Sequence, residues 1–134
     1  MTLNKSQWGN GEWQNEPDEL IWEDSETGYS CQIYRNKFGC FCGYVGIGIE
    51  HPFFGQKYFN DLIMQADIHV HGGLTFSGEL EDGDDEWYFG FAAMDDQDCL
   101  PAFENLGGVY RNLQFMKDEC RRLCNQLASY EKIS

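Results

Sequence analysis

The stretch Asn112-Leu-Gln-Phe-Met-Lys-Asp-Glu-Cys-Arg-Arg-Leu-Cys-Asn-Gln-Leu-Ala-Ser-Tyr130 decides the fold class of this chain. Its first residue, Asn112, suits the start of a helix because its side chain accepts a hydrogen bond from the backbone. Apolar residues recur at alternating steps of three and four, the spacing of one helix face. We predict a helix over residues 112–131 that packs on a sheet, since the repeat is too short to favour a coiled coil. The apolar stripe consists of Val109, Leu113, Met116, Cys120, Leu123, Leu127 and Tyr130.

The chain before this helix has the patterns of β-strands. Residues 29–35 alternate between polar and apolar, a turn follows at 36–39, and residues 40–49 predict the returning strand of a hairpin. The apolar run 87–93 predicts a strand that is buried on both faces. Residues 19–23 predict an edge strand and residues 67–76 a further strand. A short helical or irregular segment is expected at 58–64, and loops are expected at 51–55, 79–86 and 95–105.

These patterns together predict one α+β domain over residues 1–134, an antiparallel β-sheet packed against a long C-terminal α-helix. The domain would consist of an acidic, Trp-rich N-terminal arm (1–27), a mainly β region (29–105) and the helix (112–131). A chain of 134 residues is long enough to bury a core without disulfide bonds.

The charge balance narrows the choice of partner. The chain has 23 Asp and Glu residues against 9 Lys and Arg, a net charge of −14. Direct binding to nucleic acid is disfavoured because the phosphates would be repelled. The charge favours cationic partners, including the basic channels of nucleic-acid enzymes. The alternative is an acidic surface that only keeps the protein in solution.

The sequence also bears on location. It has no apolar run of membrane-spanning length, and residues 1–5 lack the apolar region of a signal peptide. We therefore expect a cytoplasmic protein that does not bind membranes. Its six cysteines would be mostly reduced there. No C-x-x-C pair occurs, so a ribbon or finger type of zinc site is not indicated.

The segment Ile68-His-Val-His-Gly-Gly-Leu-Thr-Phe-Ser-Gly78 is the most informative one for chemistry. On a strand, His69 and His71 would point to one face. His71 stands at the predicted strand end, immediately before two glycines, a position where binding residues often lie. Asp95 and Asp98 follow the next strand. Imidazoles close to carboxylates predict a metal site or a surface that faces a partner.

Zinc is the metal that this set of side chains favours, because it accepts imidazole nitrogen and carboxylate oxygen at about 2.0–2.2 Å and commonly takes four ligands. His69 is an alternative second imidazole, and Cys31 or Cys42 could replace a carboxylate. A further alternative has no metal, with the histidines hydrogen-bonded and the aspartates solvated. The predicted zinc ligands are His51, His71, Asp95 and Asp98.

Acidic residues are dense between positions 79 and 98, where nine occur without a Lys or Arg. A loop with this composition is a candidate for contact with a basic protein. The N-terminal acids are further candidates. The predicted partner-binding residues are Glu79, Glu81, Asp82, Asp84, Asp85 and Glu86.

Several segments resemble a family of small, mostly uncharacterised proteins that bacteriophages and prophages encode. The most specific one is His71-Gly-Gly-Leu-Thr-Phe-Ser77, which matches a His-Gly-Gly-Leu-Thr-[Tyr/Phe]-Ser motif of that family. The resemblance covers roughly residues 29 to 130. The other segments are Cys31-Gln-Ile-Tyr-Arg35, Gly39-Cys-Phe-Cys-Gly-Tyr-Val-Gly46, His51-Pro52, Trp87-Tyr-Phe-Gly-Phe91 and Tyr110-Arg-Asn-Leu113.

The sequence departs from the family pattern after the Trp87 strand. The family usually has Gly-Phe-Asp-Cys-Ala-His there, and this chain has Ala92, Ala93 and Asp95 at the Asp, Cys and His positions. A family catalytic site built on those groups would be damaged, whereas a metal site could persist with Asp95 replacing an imidazole. The family pattern includes His51 and His71 but not His69. The resemblance implies a phage setting in a bacterial host cell, where small acidic proteins include anti-CRISPR inhibitors.

Three functions remain open from the sequence. The first is an acidic, zinc-containing phage protein that inhibits a basic host-defence target, such as the CRISPR effector Cas9. The second is a metal-dependent hydrolase in which Asp95 or Asp98 acts as general base for a zinc-bound water. The third is a structural phage accessory domain without a metal. We rank them with the inhibitor first, the accessory domain second and the hydrolase third.

Overall fold

The computed structural model describes residues 4–131 as an antiparallel sheet with one long helix. The strands are β1 (Glu19–Glu23), β2 (Ser30–Arg35), β3 (Phe41–Ile47), β4 (Phe76–Gly78) and β5 (Trp87–Ala92). The α-helices are α1 (Asp61–Ala66) and α2 (Leu113–Glu131), and short 3-10 helices lie at Lys5–Gln7, Glu12–Asn15 and Pro101–Leu106.

The five strands form one sheet in the order β1-β2-β3-β5-β4, and every neighbouring pair is antiparallel. Alternation along β2 places Cys31 and Ile33 in the core, with Gln32 and Tyr34 on the other face. The predicted edge strand at 19–23, the hairpin of β2 and β3 and the buried strand β5 are all present. The predicted α+β class is confirmed.

Helix α2 packs across one face of the sheet, and its strongest contacts are with β3. The side chain of Asn112 accepts a hydrogen bond of 2.9 Å from the amide of Phe115, as its N-cap role predicts. Glycine at position 43 leaves room for the ring of Phe91 and for the helix, because a Cβ there would lie 2.7 Å from Cζ of Phe91 and 3.1 Å from Sγ of Cys120. The fully buried residues of the stripe are Met116, Cys120, Leu123 and Leu127.

The N-terminal residues that the structure describes are held against the domain by buried charge. Arg35 has no exposed side-chain surface, and its Nε atom lies 2.7 Å from Oδ1 of Asp18. Glu16 contacts the same guanidinium, with its Oε1 atom 3.5 Å from Nη2. Trp8 and Trp13 in this segment are also buried. The predicted arm is thus part of the domain over residues 4–27, and residues 1–3 lie outside the described part of the chain.

The predicted strand over residues 67–76 is wrong for most of its length, since only Phe76 belongs to β4. Asp67 ends α1 in a left-handed conformation with φ of 54°. Gly72 and Gly73 have φ of 72° and 78°, which glycine adopts without the steric cost of a side chain. The chain therefore turns where the alternating β-branched residues predicted extension. Val70 still packs into the core, so the apolar half of the pattern is satisfied without a strand.

Two further predictions differ from the structure near the start of α2. The predicted stripe includes Val109, but this residue lies before the helix and is 55% exposed. It forms an isolated bridge with Asp98 instead. The predicted loop 95–105 overlaps the 3-10 helix Pro101–Leu106, which begins with a proline as helices often do.

All six cysteines are free thiols in the structure, and none is paired in a disulfide. No helix within residues 4–131 combines the length and apolarity needed to cross a membrane.

Candidate functional site

His71 and Asp98 are two predicted site residues that the structure brings into direct contact. The Nε2 atom of His71 lies 2.7 Å from Oδ2 of Asp98. The turn made by Gly72 and Gly73 follows His71, and the backbone amide of His71 donates a hydrogen bond of 2.8 Å to the carboxylate of Glu119 on α2. The loop after β5 brings Asp98 to the same place, although the two residues do not lie on a hairpin.

Asp98 is a buried carboxylate whose two oxygens are both engaged. Arg111 donates from Nε to Oδ1 at 2.8 Å, and the amide of Asp95 donates to Oδ2 at 2.9 Å. Burial raises the pKa of Asp98, but the hydrogen bonds from Arg111 and His71 outweigh this, so the pKa lies below its ordinary value. Asp98 is therefore ionised at neutral pH and holds the His71 loop and the start of α2 together.

His51 lies elsewhere in the molecule. Its Nδ1 atom accepts a hydrogen bond of 2.9 Å from the amide of Phe53, so the proton resides on Nε2. That atom donates to the carbonyl of Leu127 at 2.7 Å. Leu127 lies about 12 Å along α2 from Glu119, which contacts His71. His51 thus packs in the core near the end of the helix, with both ring nitrogens engaged.

The remaining predicted ligands also have other surroundings. Asp95 is exposed and lies near the His71 turn, because a Cβ added to Gly72 would be 3.6 Å from its carboxylate. His69 is exposed, and its Nε2 atom lies 3.1 Å from Asp67. Cys31 lies in the core with its sulfur 3.5 Å from that of Cys124. His69 and His71 do not share a strand face, because the predicted strand does not form.

The four predicted zinc ligands therefore do not form one site. The structure brings together His71, Asp95 and Asp98 but leaves His51 apart. Within residues 4–131, no three or more His, Cys, Asp or Glu side chains are grouped so that they could hold a metal ion. The donor atoms of His51 and Asp98 already have protein partners, which favours the hydrogen-bonded alternative. Zinc stays a prediction of the sequence.

The acidic loop between β4 and β5 differs from Asp98, whose carboxylate is bound by Arg111 and His71, in having no cationic side chain from residues 4–131 paired with it. Within the described part of the chain, none of its six carboxylates forms an ion pair with a lysine, arginine or histidine. Four of the six are exposed and two are half-buried. The exposed ones are Glu79, Glu81, Asp82 and Asp85, and the half-buried ones are Asp84 and Glu86.

The loop borders a groove on the sheet face that α2 does not cover. The groove has a volume of about 370 Å³, and we call it the tyrosine groove. Tyr34 and Tyr44 are neighbours, with ring centroids 6.2 Å apart, and Phe76 meets Tyr44 edge-on at 5.3 Å. The residues that line the groove are Ile21, Gln32, Tyr34, Tyr44, Leu80, Glu81, Asp84 and Tyr88.

A chain of hydrogen bonds runs along the tyrosine groove toward a carboxylate. The hydroxyl of Tyr34 donates to Oε1 of Gln32, whose amide donates to the hydroxyl of Tyr88 at 3.0 Å. Tyr88 then donates to Glu86 at 2.8 Å, and Ser30 donates to the other oxygen of Glu86 at 2.9 Å. These bonds fix the orientation of the polar groups along the groove, and the series ends on the carboxylate of Glu86.

The tyrosine groove is not predicted by the sequence. The alternation of β2 predicted an outward face with Gln32 and Tyr34, but the sequence does not reveal which strands lie beside it. Tyr44 and Tyr88 come from strands β3 and β5, which pair with each other. The only signal for the groove in the sequence is the set of polar residues that alternate with buried ones along a strand, such as Gln32 and Tyr34 in β2.

Comparisons with protein-family models, with curated proteins and with solved structures found no match to this chain. The resemblance to the phage family stays a prediction from the motifs.

Proposed function

We propose that this protein is an acidic inhibitor that binds the cationic surface of a bacterial defence protein, with a CRISPR effector nuclease as its target. The observation that carries the proposal is the set of loop carboxylates, residues 79–86, that have no cationic partner within the described residues. Like charges held together in one loop repel each other. A basic partner would relieve that repulsion on binding.

The other acids of the molecule support this assignment by contrast. Asp18, Asp24 and Asp98 are each neutralised by an arginine of the same chain. The loop is thus the part of the described structure where a high density of carboxylates is left available to another molecule. A surface of this kind competes with phosphates for a basic channel, because both present closely spaced negative charge.

The test uses the purified protein with a purified, guide-loaded CRISPR effector nuclease. We expect inhibition of DNA cleavage by the wild-type protein. The double variant Asp84→Lys/Asp85→Lys should bind at least about tenfold more weakly in 0.15 M salt, with a smaller dependence of affinity on salt.

The matched control is Asp61→Lys/Asp118→Lys, which changes the net charge equally at two exposed positions outside the loop. We expect it to weaken binding less than about threefold, since distant exposed charges are screened. Equal weakening by both variants would remove the loop from the interface. No binding and no inhibition by the wild-type protein would contradict the proposal and favour an accessory role.

One observation favours a hydrolase as the second candidate. The contact between Asp98 and Nε2 of His71 orients the imidazole, as a general base requires. Asp98 itself is not the base, because its oxygens already accept three hydrogen bonds. Loss of inhibition in His71→Gln with binding retained would support the hydrolase. Full inhibition by that variant would contradict it.

A further inference from the structure

We propose that the tyrosine groove is the part of this protein that captures an arginine side chain of its cationic partner. The inference rests on the proposed function and adds the binding site and the chemistry that it recognises. Three features of the groove support it: flat aromatic walls, unpaired carboxylates at the rim and a preorganised floor.

The walls of the groove suit a planar cation. Tyr34 and Tyr44 present neighbouring rings, tilted by 59° to each other, on the open face of the sheet. A guanidinium group stacks on aromatic faces and is more weakly hydrated than an ammonium group, so it loses less on leaving water. The aliphatic stem of an arginine would lie against Ile21 and Leu80, which also line the groove.

The rim supplies negative charge from two sides. Glu81 and Asp84 line the groove from the acidic loop. Glu19 lies on β1, directly opposite Tyr34 on β2. Burial raises the pKa of Tyr34, and the nearby charges of Glu19 and Glu81 raise it further. A guanidinium can donate to two such carboxylates at once, whereas a single ammonium is a point charge.

The floor of the groove is set before any ligand arrives. Burial is the main cause that raises the pKa of Tyr44 to about 12, so its hydroxyl stays protonated at neutral pH. The hydrogen bonds from Tyr34 through Gln32 and Tyr88 end on Glu86 and hold the polar atoms in place. Binding therefore requires little ordering of the site, which is a condition for affinity in a small groove.

The experiment measures the binding of a nona-arginine peptide and of a nona-lysine peptide by calorimetry in 0.15 M salt. We expect the arginine peptide to bind about fivefold or more tightly than the lysine peptide, because stacking and paired hydrogen bonds favour guanidinium. Backbone amide shifts in NMR spectra of the wild-type protein should locate the arginine peptide at Gln32, Tyr34 and Tyr44.

Two double variants of the same loop lose the same amount of negative charge. Comparing them distinguishes binding in the groove from attraction to the overall charge of the loop. Glu81→Gln/Asp84→Asn removes the carboxylates that line the groove, and we expect binding about tenfold weaker. Asp82→Asn/Asp85→Asn removes two carboxylates that do not line it, and we expect less than about threefold weakening.

The outcomes distinguish the inference from the proposed function. Equal weakening by the two variants, or equal affinity for the two peptides, would overturn the groove while the acidic loop could still bind an effector. Amide shifts that cluster at the backbone edge of β1 would also overturn it, since they would indicate strand addition. Failure of the effector to bind, with arginine capture intact, would instead overturn the proposed target.

Discussion

The N-terminal segment 12–26 and the loop 79–86 are both rich in acids, with seven and six carboxylates, yet the fold uses them in opposite ways. Asp18 pairs with the buried Arg35, and Asp24 accepts a hydrogen bond of 2.7 Å from Arg121 on α2. Glu26 contacts the same arginine. The loop has no equivalent partner within the described residues. Acidic composition alone therefore does not indicate a binding surface, because the distribution of cations decides which carboxylates remain available.

Among the variants that test this comparison, Arg35→Met should change the free energy of unfolding most. The variant leaves Glu16 without its cation and leaves Asp18 with Lys5 alone, at a site where the arginine side chain is completely buried. We expect the free energy of unfolding to fall by about 3–5 kcal/mol, the usual cost of leaving a buried charge unpaired. Denaturation in urea measures the effect.

Lys37→Met is the control for Arg35→Met, since it removes the same charge from an exposed residue near the same strand. We expect a change within about 0.5 kcal/mol. A loss below about 1 kcal/mol in Arg35→Met would show that the N-terminal carboxylates are as independent of the fold as those of the loop.

Asp98→Asn tests how much one carboxylate that is paired with an arginine contributes to the free energy of unfolding. The amide cannot accept the hydrogen bonds of Arg111 and His71 as an ionised group does, so we expect a loss of about 2–3 kcal/mol at pH 7. Asp96→Asn, at an exposed neighbouring position, should change stability by less than about 0.5 kcal/mol. Urea denaturation of both variants checks the pair.

The same variant has a predicted pH dependence. The pKa of Asp98 is lower in the folded protein than in the unfolded chain, so the unfolded state binds more protons as the pH falls. The stabilisation is complete above the unfolded pKa of about 3.9 and is lost as the pH falls through the folded value. Asp98→Asn should therefore lose less stability than the wild type between about pH 5 and pH 2. Parallel pH profiles would contradict this.

Zinc binding by the wild-type protein can be tested by thermal melting with and without a chelator. The atoms of His51 and Asp98 that would bind zinc already form hydrogen bonds within the protein. We therefore expect a chelator to leave the melting temperature unchanged. About one zinc per chain, with a lower melting temperature after its removal, would restore the zinc prediction and require a rearrangement around His51.

Neutralisation of the loop should have the smallest effect on stability. Asp82→Asn/Asp85→Asn removes two exposed charges from a segment of like charge, so we expect unfolding free energy to change by less than about 0.5 kcal/mol or to rise slightly. The matched pair Glu16→Gln/Asp18→Asn should destabilise clearly, because it removes the partners of Arg35. Similar losses in both pairs would mean that the loop is also structural.

Much of the fold could be predicted because its patterns are local. The alternation of β2, the apolar run of β5 and the three-four stripe of α2 follow directly from backbone geometry. The prediction failed at residues 67–75, where His69 and Val70 alternate as in a strand. Positive φ angles at Asp67, Gly72 and Gly73 turn the chain there instead.

The candidate site was only partly predictable. The contact of His71 with Asp98 joins residues 27 positions apart, and the sequence indicates it through their residue types rather than through geometry. His51 has the same chemistry as His71, but burial beside Leu127 engages both of its nitrogens. A sequence does not distinguish a packed histidine from an available one, because the difference lies in neighbours that come from other elements.

The sequence by itself determined the α+β class, the capped amphipathic helix and the excess of negative charge, because side-chain periodicity and composition are properties of local segments. Only the tertiary structure decided which carboxylates are neutralised and which face the solvent. Asp24 and Arg121 stand 97 positions apart, and the tyrosine groove joins residues of four strands and one loop. Such pairs form only when the sheet and helix have packed, since Coulomb attraction and stacking act over a few ångströms in space.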